Sequence, residues 1–453
     1  MASEFGVIGL GVMGSAYVRN LVSRGVRVSA WSIQNSEIEK MRYYDLKGLQ
    51  LFTSLKEFVE SLESPRKILM MVTAGKPVDM VIESLIGLLE PEDILIDGGN
   101  EWYPNTLRRF ALCQEHNIHY CAMGVSGGEH GARTSPCLMF SGQRCDYDKI
   151  KRFIEQDDRS FYIGPGASGH FVKMVHNGIE YAILQIIAEI YLVMRNVLEL
   201  QLDTITNILE EWNDTDVGSY LLGITEEILK VKTADGVAYL VDKIVDSTGA
   251  NGTGKWTVKE AFDLGVPVPT ITAAVEMRHA SNTLRNPCFM PSRRISEGHS
   301  LSEGDLMRTL LGCMLISFVQ GASLLMEASK KFEWGLDMSH ICKIWRKDSI
   351  ISCKLLDPIS RAFTNKQPPF NLLQDDYMRS VVNDSLDSWK KVCKTCINYN
   401  IAAPAIVSGL QYLQTISSMQ LGHNLIQAQR DFFGAHCFSR VDEPGKHHHN
   451  WRQ

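Results

Sequence analysis

The chain has 453 residues, 45% of them hydrophobic and 22% charged, with 46 Lys+Arg against 52 Asp+Glu and a formal net charge of −6. That length predicts two or three domains, and that composition excludes wholesale disorder. The mild acidic balance gives no sign of a nucleic-acid surface, and no run reaches the ~18 to 20 uninterrupted apolar residues of a membrane helix.

The N-terminal MASEFGVIGLGVMG has no basic segment ahead of its apolar run, and glycines break that run. It reads as a strand and turn rather than a signal peptide, and a cytoplasmic protein is expected. Strand-like runs at 5–10, 26–31, 67–72, 93–96 and 119–125 alternate with helical patterns such as 16–24 and 78–89. Such alternation predicts a doubly wound α/β Rossmann domain over residues 1–163, with a mostly parallel sheet.

Within it, Gly9, Leu10, Gly11, Val12, Met13 and Gly14 match G-x-G-x-x-G after a strand and at the opening of a helix. Gly9 makes the tight turn, Gly11 lets the backbone approach a pyrophosphate, and Gly14 allows close helix–strand packing. The helix N-terminus then offers N–H groups and partial positive charge to the phosphates. An NAD site places an acid at the end of the second strand to hold the ribose 2′-OH. Here that strand ends in Ser32, Ile33 and Gln34, with neither acid nor Arg. The missing carboxylate favours NADP, and the missing Arg removes the usual 2′-phosphate partner. Ser32 and Gln34 offer neutral hydrogen bonds to a 2′-phosphate, and NAD stays open.

Beyond Gly169 the texture changes to helical periodicity, at 171–200, 305–331 and 386–399, so a large all-helical domain over 164–425 is expected. It carries a repeat: Gln185 and Gln320 sit in similar helical runs, and Trp212 and Trp345 follow each at a similar distance, as a duplicated unit requires. The eleven cysteines are scattered, and Cys393 and Cys396 form a lone CxxC inside a helical pattern; reduced thiols and no metal site are expected. The end of the chain is polar and short of apolar anchors, so it either frays or binds across another subunit.

The most informative stretch is GHFVKMVHNGIEY, residues 169–181. Lys173, His176, Asn177, Glu180 and Tyr181 fall at i, i+3, i+4, i+7 and i+8 and share one helix face. Their neighbours are apolar, which sets a buried polar seam against the alternative of a solvated surface stripe. A desolvated Lys loses enough basicity to act as a proton acceptor near neutral pH, and Glu180 is a candidate acid.

These blocks resemble the 6-phosphogluconate dehydrogenase family along the whole chain: GLGVMG, Ile96-Asp-Gly-Gly-Asn100, Val125-Ser-Gly-Gly-Glu129, the seam helix, Gly252-Thr-Gly-Lys-Trp-Thr257 and the run from Leu425 to His436. The resemblance extends to His448-His449-Asn450-Trp451, so the histidine run reads as native sequence rather than a tag. It implies oxidative decarboxylation of 6-phospho-D-gluconate to D-ribulose 5-phosphate and carbon dioxide, with reduction of NADP. Lys173 would be general base and then acid, and Glu180 the acid for the enediol. Substrate would be held by Asn100, Ser126, Gly127, Gly128, His176 and Asn177, and its phosphate by Tyr181, Thr253 and Arg278. Arg430 and His436 would come from a partner's tail, residues 426–453, making a homodimer with shared sites. Cofactor contacts would come from residues 9–14, Ser32, Ile33, Gln34, Val72, Thr73, Ala74 and Asn100.

Three positions depart from the family pattern: Asn251 and Thr73 each replace a Lys, and Ser32-Ile33-Gln34 replaces Asn-Arg-Thr. Each removes a cation from a phosphate-binding neighbourhood, enough to raise a Michaelis constant by about an order of magnitude, with Lys76 nearby as a possible compensation. None touches Lys173 or Glu180. Two rival readings follow: a β-hydroxyacid dehydrogenase acting on a non-phosphorylated acid, and a catalytically impaired, nucleotide-binding paralogue.

Overall fold

A computed structural model describes residues 2–156, 161–283, 285, 300–364 and 369–452. Its one sheet holds β1 (Phe5–Ile8), β2 (Val28–Trp31), β3 (Leu49–Phe52), β4 (Lys67–Met70), β5 (Ile94–Asp97), β6 (His119–Ser126), β7 (Cys137–Ser141) and β8 (Tyr162–Gly164). The strand order is β3-β2-β1-β4-β5-β6-β7-β8, and every pairing is parallel except β6 with β7. The order reverses between β1 and β4, and in such sheets the crevice at the C-terminal ends of those strands is the ligand site. β1, β5 and β7 are buried throughout, which is why they read as unbroken apolar runs rather than alternating ones.

β3, β7 and β8 were not among the expected strands. β3, Leu-Gln-Leu-Phe, is a partly exposed edge strand of four residues, too short for an alternation to declare itself. β7 is Cys-Leu-Met-Phe-Ser, an apolar run that a buried helix would use equally well. β8 has three residues and pairs only at the sheet edge.

After Gly164 every named element is helical. The helices Ser168–Asn196 and Glu303–Lys331 are both 29 residues long and start 135 residues apart (303 − 168). The helices Pro269–Thr283 and Pro404–Ser417 start at the same offset (404 − 269). The duplication therefore extends beyond the glutamine and tryptophan pairs that suggested it.

The repeats are also tied crosswise. Glu189, on the first long helix, accepts from the N–H groups of Ala405 (3.0 Å) and Ile406 (2.9 Å) in the first turn of the second repeat's Pro-started helix. Gln320, on the second long helix, accepts from the N–H of Thr270 (3.1 Å) at the start of the first repeat's. Each long helix thus satisfies donors that the other repeat's helix leaves open.

Both long helices are apolar and long enough to cross a membrane by length and composition, but 67% and 83% of their most apolar windows are buried inside the protein. They pack closely: a Cβ at Gly321 would lie 2.4 Å from Ile179 Cδ1.

Burial raises the carboxyl of Glu189 to about 7 against the two N–H groups that hold it down. Replacing it with Ala strands those N–H groups in a dry site. Glu189→Ala should lower the unfolding free energy by roughly 2–4 kcal/mol, read as a lower urea midpoint at pH 6; an unchanged midpoint means the cross-tie adds nothing.

Candidate active site

The fingerprint turn has the geometry its glycines require. Gly9 has φ +93°, and a Cβ there would lie 2.6 Å from the Met71 carbonyl oxygen. A Cβ at Gly14 would sit 2.0 Å from the Gly9 oxygen, so the helix Val12–Ser23 can start only over a glycine. Gly11 is different: nothing but Glu37 Oε1, at 3.7 Å, comes near, and its face is open to an approaching phosphate. A closed turn on either side of one open glycine fits a dinucleotide pyrophosphate.

Two adjoining clefts leave from this turn. The larger, about 620 Å³, is lined by Gly11, Val12, Met13 and Gly14, by the segment 71–75, and by Asn100. Its far end is formed by Val125, Asn251 and Trp256. The smaller, about 450 Å³, runs the other way, over Trp31, Ser32, Ile33, Gln34 and Glu37. Every cofactor-site residue named from the sequence except Leu10 lines one or both; Leu10 is buried beneath, its N–H donating to Glu37 Oε2 (3.2 Å). Asn251 lies on the larger cleft, among the 71–75 residues. Lys76 is exposed at the first turn of the helix Lys76–Ile86.

The loop at 72–75 is held by groups the sequence reading passed over. Arg109, fully buried, reaches Glu101 (2.6 Å), Asp97 (3.2 Å) and Asp79 (2.7 Å), and donates to the Gly75 oxygen (2.8 Å). Glu101 accepts from the Gly75 N–H (2.7 Å). One buried ion network thus grips Gly75 by both its backbone groups. From sequence, Arg109 looked like any helix-face cation. Nearby, Trp102 Nε1 (3.2 Å) and the Tyr103 hydroxyl (2.9 Å) both donate to Glu260, fastening the segment after β5 to the helix Thr253–Asp263.

Val125 ends the larger cleft, and Ser126, its neighbour on β6, begins the polar seam. His176 Nε2 lies 3.1 Å from Ser126 Oγ; its Nδ1 lies 3.4 Å from Lys173 Nζ and 3.1 Å from Asn177 Oδ1. The Asn177 amide donates to Thr253 Oγ1 (3.0 Å). Arg278 lies over the Tyr181 ring at 3.4 Å and donates to the Gly249 oxygen (3.1 Å). Gly127 and Gly128 both have positive φ, and a Cβ at Gly127 would lie 2.6 Å from the Asp348 oxygen. The structure thus draws Lys173, His176, Asn177, Glu180, Tyr181, Ser126, Thr253 and Arg278 into one contiguous site. Small residues allow it: a Cβ at Gly124 would strike Lys173 Cβ at 2.4 Å, and one at Gly254 would strike the Tyr181 ring at 2.8 Å.

The seam is buried: Lys173 is 3% exposed and His176 is fully enclosed. Burial pushes the Lys173 ammonium down, with the Glu180 charge opposing it. Burial pushes the Glu180 carboxyl up, against Lys173 and Arg278. His176 lies well below its usual value, through burial and then the Lys173 charge, so it is neutral. Nδ1 faces both the Lys173 amine and Asn177 Oδ1, so whichever of the two it bonds sets which ring nitrogen carries the proton.

Arg430 and His436 are not brought to this seam by a single chain. They lie on the helix His423–Gly434 and just beyond it; Arg430 donates to Gln427 (3.0 Å) and His436 rests on Phe433. That helix exposes Leu425, Ile426, Phe432 and Phe433. Its one buried residue, Asp431, accepts from His448 Nδ1 (2.9 Å), the His449 N–H (3.1 Å), Trp451 Nε1 (2.8 Å) and the Cys437 N–H (2.9 Å). The histidine run is part of this knot. Among the described residues no group of three or more His, Cys, Asp or Glu is placed to hold a metal ion.

Comparison with known proteins agrees with this layout. Residues 4–164 match the NAD binding domain of 6-phosphogluconate dehydrogenase, and residues 169–451 match the C-terminal domain of 6-phosphogluconate dehydrogenase. The chain is 40% identical over 466 residues to the decarboxylating 6-phosphogluconate dehydrogenase of Lactococcus lactis, covering 99% of this chain and 98% of that one. It is 39% identical over 468 residues to the Staphylococcus epidermidis enzyme, covering 100% and 99%. The solved structure of Plasmodium falciparum 6-phosphogluconate dehydrogenase superposes with a TM-score of 0.93 at 37% identity, over 99% of this chain and 100% of that one. That protein was solved in its apo form, with its cofactor NADP+ and with its substrate 6-phosphogluconate.

Because Glu180 opposes the loss of the Lys173 proton, removing its charge should lower the lysine's pKa further. In a ¹⁵N NMR titration the Lys173 Nζ midpoint is expected to fall in Glu180→Gln; an unchanged midpoint would mean the two groups do not sense each other.

Proposed function

The chain belongs to the 6-phosphogluconate dehydrogenase family, and on that premise we propose that it oxidises and decarboxylates 6-phospho-D-gluconate to D-ribulose 5-phosphate and carbon dioxide, with NADP as electron acceptor. The observation that carries this reading is the buried Lys173 and His176, with the largely covered Glu180 3.9 Å from the His176 ring, one residue along β6 from the cleft that leaves the dinucleotide turn. The bound nicotinamide supplies hydride acceptance. Residues 9–14, Ser32, Ile33, Gln34, Val72, Thr73, Ala74 and Asn100 would hold that cofactor.

The chain's own task is proton handling. Lys173, its basicity lowered by burial, takes the proton from the C3 hydroxyl as that carbon is oxidised. It then returns the proton to the carbonyl oxygen of the 3-keto acid, which draws electrons from the breaking C–C bond as carbon dioxide leaves. Glu180, whose carboxyl burial makes hold its proton more tightly, delivers a proton to C1 of the resulting enediol. His176 and Asn177 orient the substrate; Asn100, Ser126, Gly127 and Gly128 hold its carboxylate and hydroxyls. Tyr181, Thr253 and Arg278 face its phosphate.

The homodimer is part of the same reading. The exposed apolar face of the helix His423–Gly434 calls for a protein surface to cover it. A second copy, receiving the tail 426–453, would gain Arg430 and His436 for the substrate phosphate. A cytoplasmic home is supported by the ten described cysteines, none of which is disulfide-bonded to another described residue, as in a reducing compartment. Whole-length similarity, including the duplicated helical half and the tail, favours this reading over a dehydrogenase of non-phosphorylated acids. The losses at Asn251, Thr73 and Ser32-Ile33-Gln34 leave Lys173 and Glu180 in place, which favours an enzyme over an impaired paralogue.

Reduction of dinucleotide with release of carbon dioxide, on addition of 6-phosphogluconate, is the direct assay; a folded protein that binds nucleotide but reduces none would refute the reading. Lys173→Met and Glu180→Gln should each cut kcat by roughly 10²- to 10⁴-fold. The pH profile of kcat/KM should be a bell: activity rises as Lys173 loses the proton that blocks it and falls as Glu180 loses the one it must give, the limbs belonging to the coupled pair. Arg430→Ala should raise KM for 6-phosphogluconate by about tenfold or more and leave KM for the cofactor alone. An active monomer by light scattering would contradict the shared site.

A further inference from the structure

The smaller cleft contains a group that the end of β2 does not announce. Glu37 lies in the first turn of the helix Asn35–Arg42, six residues beyond the strand, and its side chain folds back over the fingerprint turn. Its Oε2 accepts from the Leu10 N–H (3.2 Å) and from the Ser32 hydroxyl (2.6 Å), while the Gln34 N–H donates to Ser32 Oγ (3.2 Å). Its Oε1 accepts from no described residue and faces the open side of Gly11, 3.7 Å from where a Cβ would stand.

We propose that Glu37 is a cofactor-specificity residue, its free carboxylate oxygen holding the 2′-OH of an adenosine ribose, so that this chain accepts NAD alongside NADP. This rests on the proposed dehydrogenase reading and concerns the same cofactor site. In Rossmann sites the acid that receives the ribose 2′-OH sits between the glycine turn and the end of the second strand. Glu37 reaches that place from the following helix instead of from the strand itself, which is why spacing along the sequence misses it.

Two further observations point the same way. Ser32 was expected as a neutral donor to a 2′-phosphate, but its hydroxyl proton is already given to Glu37. Among the residues lining this cleft there is no Lys or Arg. A 2′-phosphate carries about −1.5 to −2 charge near neutral pH and accepts hydrogen bonds only. It would meet a carboxylate, a spent hydroxyl and no cation, whereas a ribose hydroxyl brings the donor that Oε1 lacks. The plainer role for Glu37 is a staple that closes residues 32–37 over the turn, and the experiment separates the two.

The full-length protein is titrated calorimetrically with adenosine 5′-monophosphate and with adenosine 2′,5′-bisphosphate, which needs no catalysis. The wild type should favour the bisphosphate by less than about tenfold, and Glu37→Gln, which keeps an oxygen for the staple, should move the ratio toward it by about tenfold or more. The kcat/KM ratio for NADP over NAD should shift in the same direction. Glu37→Lys, which puts a cation where the carboxylate stands, should move the ratio further in the same direction and serves if Glu37→Gln does not fold. A wild-type bisphosphate preference above about 100-fold, or a ratio unmoved within twofold by Glu37→Gln, would overturn the proposal. If the nucleotide ratio shifts but no dinucleotide is reduced with 6-phosphogluconate, the specificity role stands and the dehydrogenase reading falls.

Discussion

The structure depends on burying an amine and an imidazole on one helix face beside a carboxylate that is largely covered. Charging a buried Lys or Glu alone is expensive, and the two respond in opposite directions: the lysine gives up its proton more easily and the carboxyl holds its own more tightly. Burial thus brings the neutral pair, amine and carboxylic acid, toward the energy of the ion pair. The neutral pair is the form with a base and an acid both ready. In water the same residues would be a lysine too basic to accept a proton and a glutamate with none to give.

That requirement shapes the walls. The seam helix is gripped on several sides by backbone approaching where side chains would not fit. A Cβ at Gly124 on β6, at Gly169 or Gly178 on the helix itself, or at Gly321 on the second long helix would come within 2.6 Å of a neighbouring heavy atom. Water is excluded by this closeness rather than by bulk. The duplicated helical unit serves the same end: its second long helix covers the back of the first, and the Glu189 and Gln320 ties prevent the repeats from drawing apart. The fold positions the seam, and the seam's chemistry in turn sets how tightly the fold must close.

Much of this was legible in the sequence because the relevant signals are local. A glycine pattern between a strand and a helix, and five polar residues at helical spacing among apolar ones, need only the chain near them. The duplication was visible through Gln185 and Gln320, though not the cross-capping, which depends on the other repeat's helix termini. What escaped was long-range. The grip of Arg109 on Gly75, the Glu260 tie to Trp102 and Tyr103, and the return of Glu37 to Leu10 each join residues 27 or more apart. Nothing in the residues around them marks them as different from ordinary surface charges. β3 and β8 were lost for the converse reason: their runs are too short for a pattern to outweigh chance.

If a second copy receives the tail as proposed, a distant segment serves the site without a large entropic cost. A disordered tail would have to order itself while docking, and that cost would come off its affinity. Here Asp431 is buried under four donors from residues 437–451, so the helix and the strand-like return behind it are already one unit. Its apolar face, Leu425 with Phe432 and Phe433, stays exposed in the single chain. A unit that is folded but unsatisfied on one side loses little freedom when that side is covered, and it presents Arg430 and His436 in fixed relation to each other. The buried aspartate therefore does for the tail what packing does for the seam: it fixes polar groups in place before any ligand arrives.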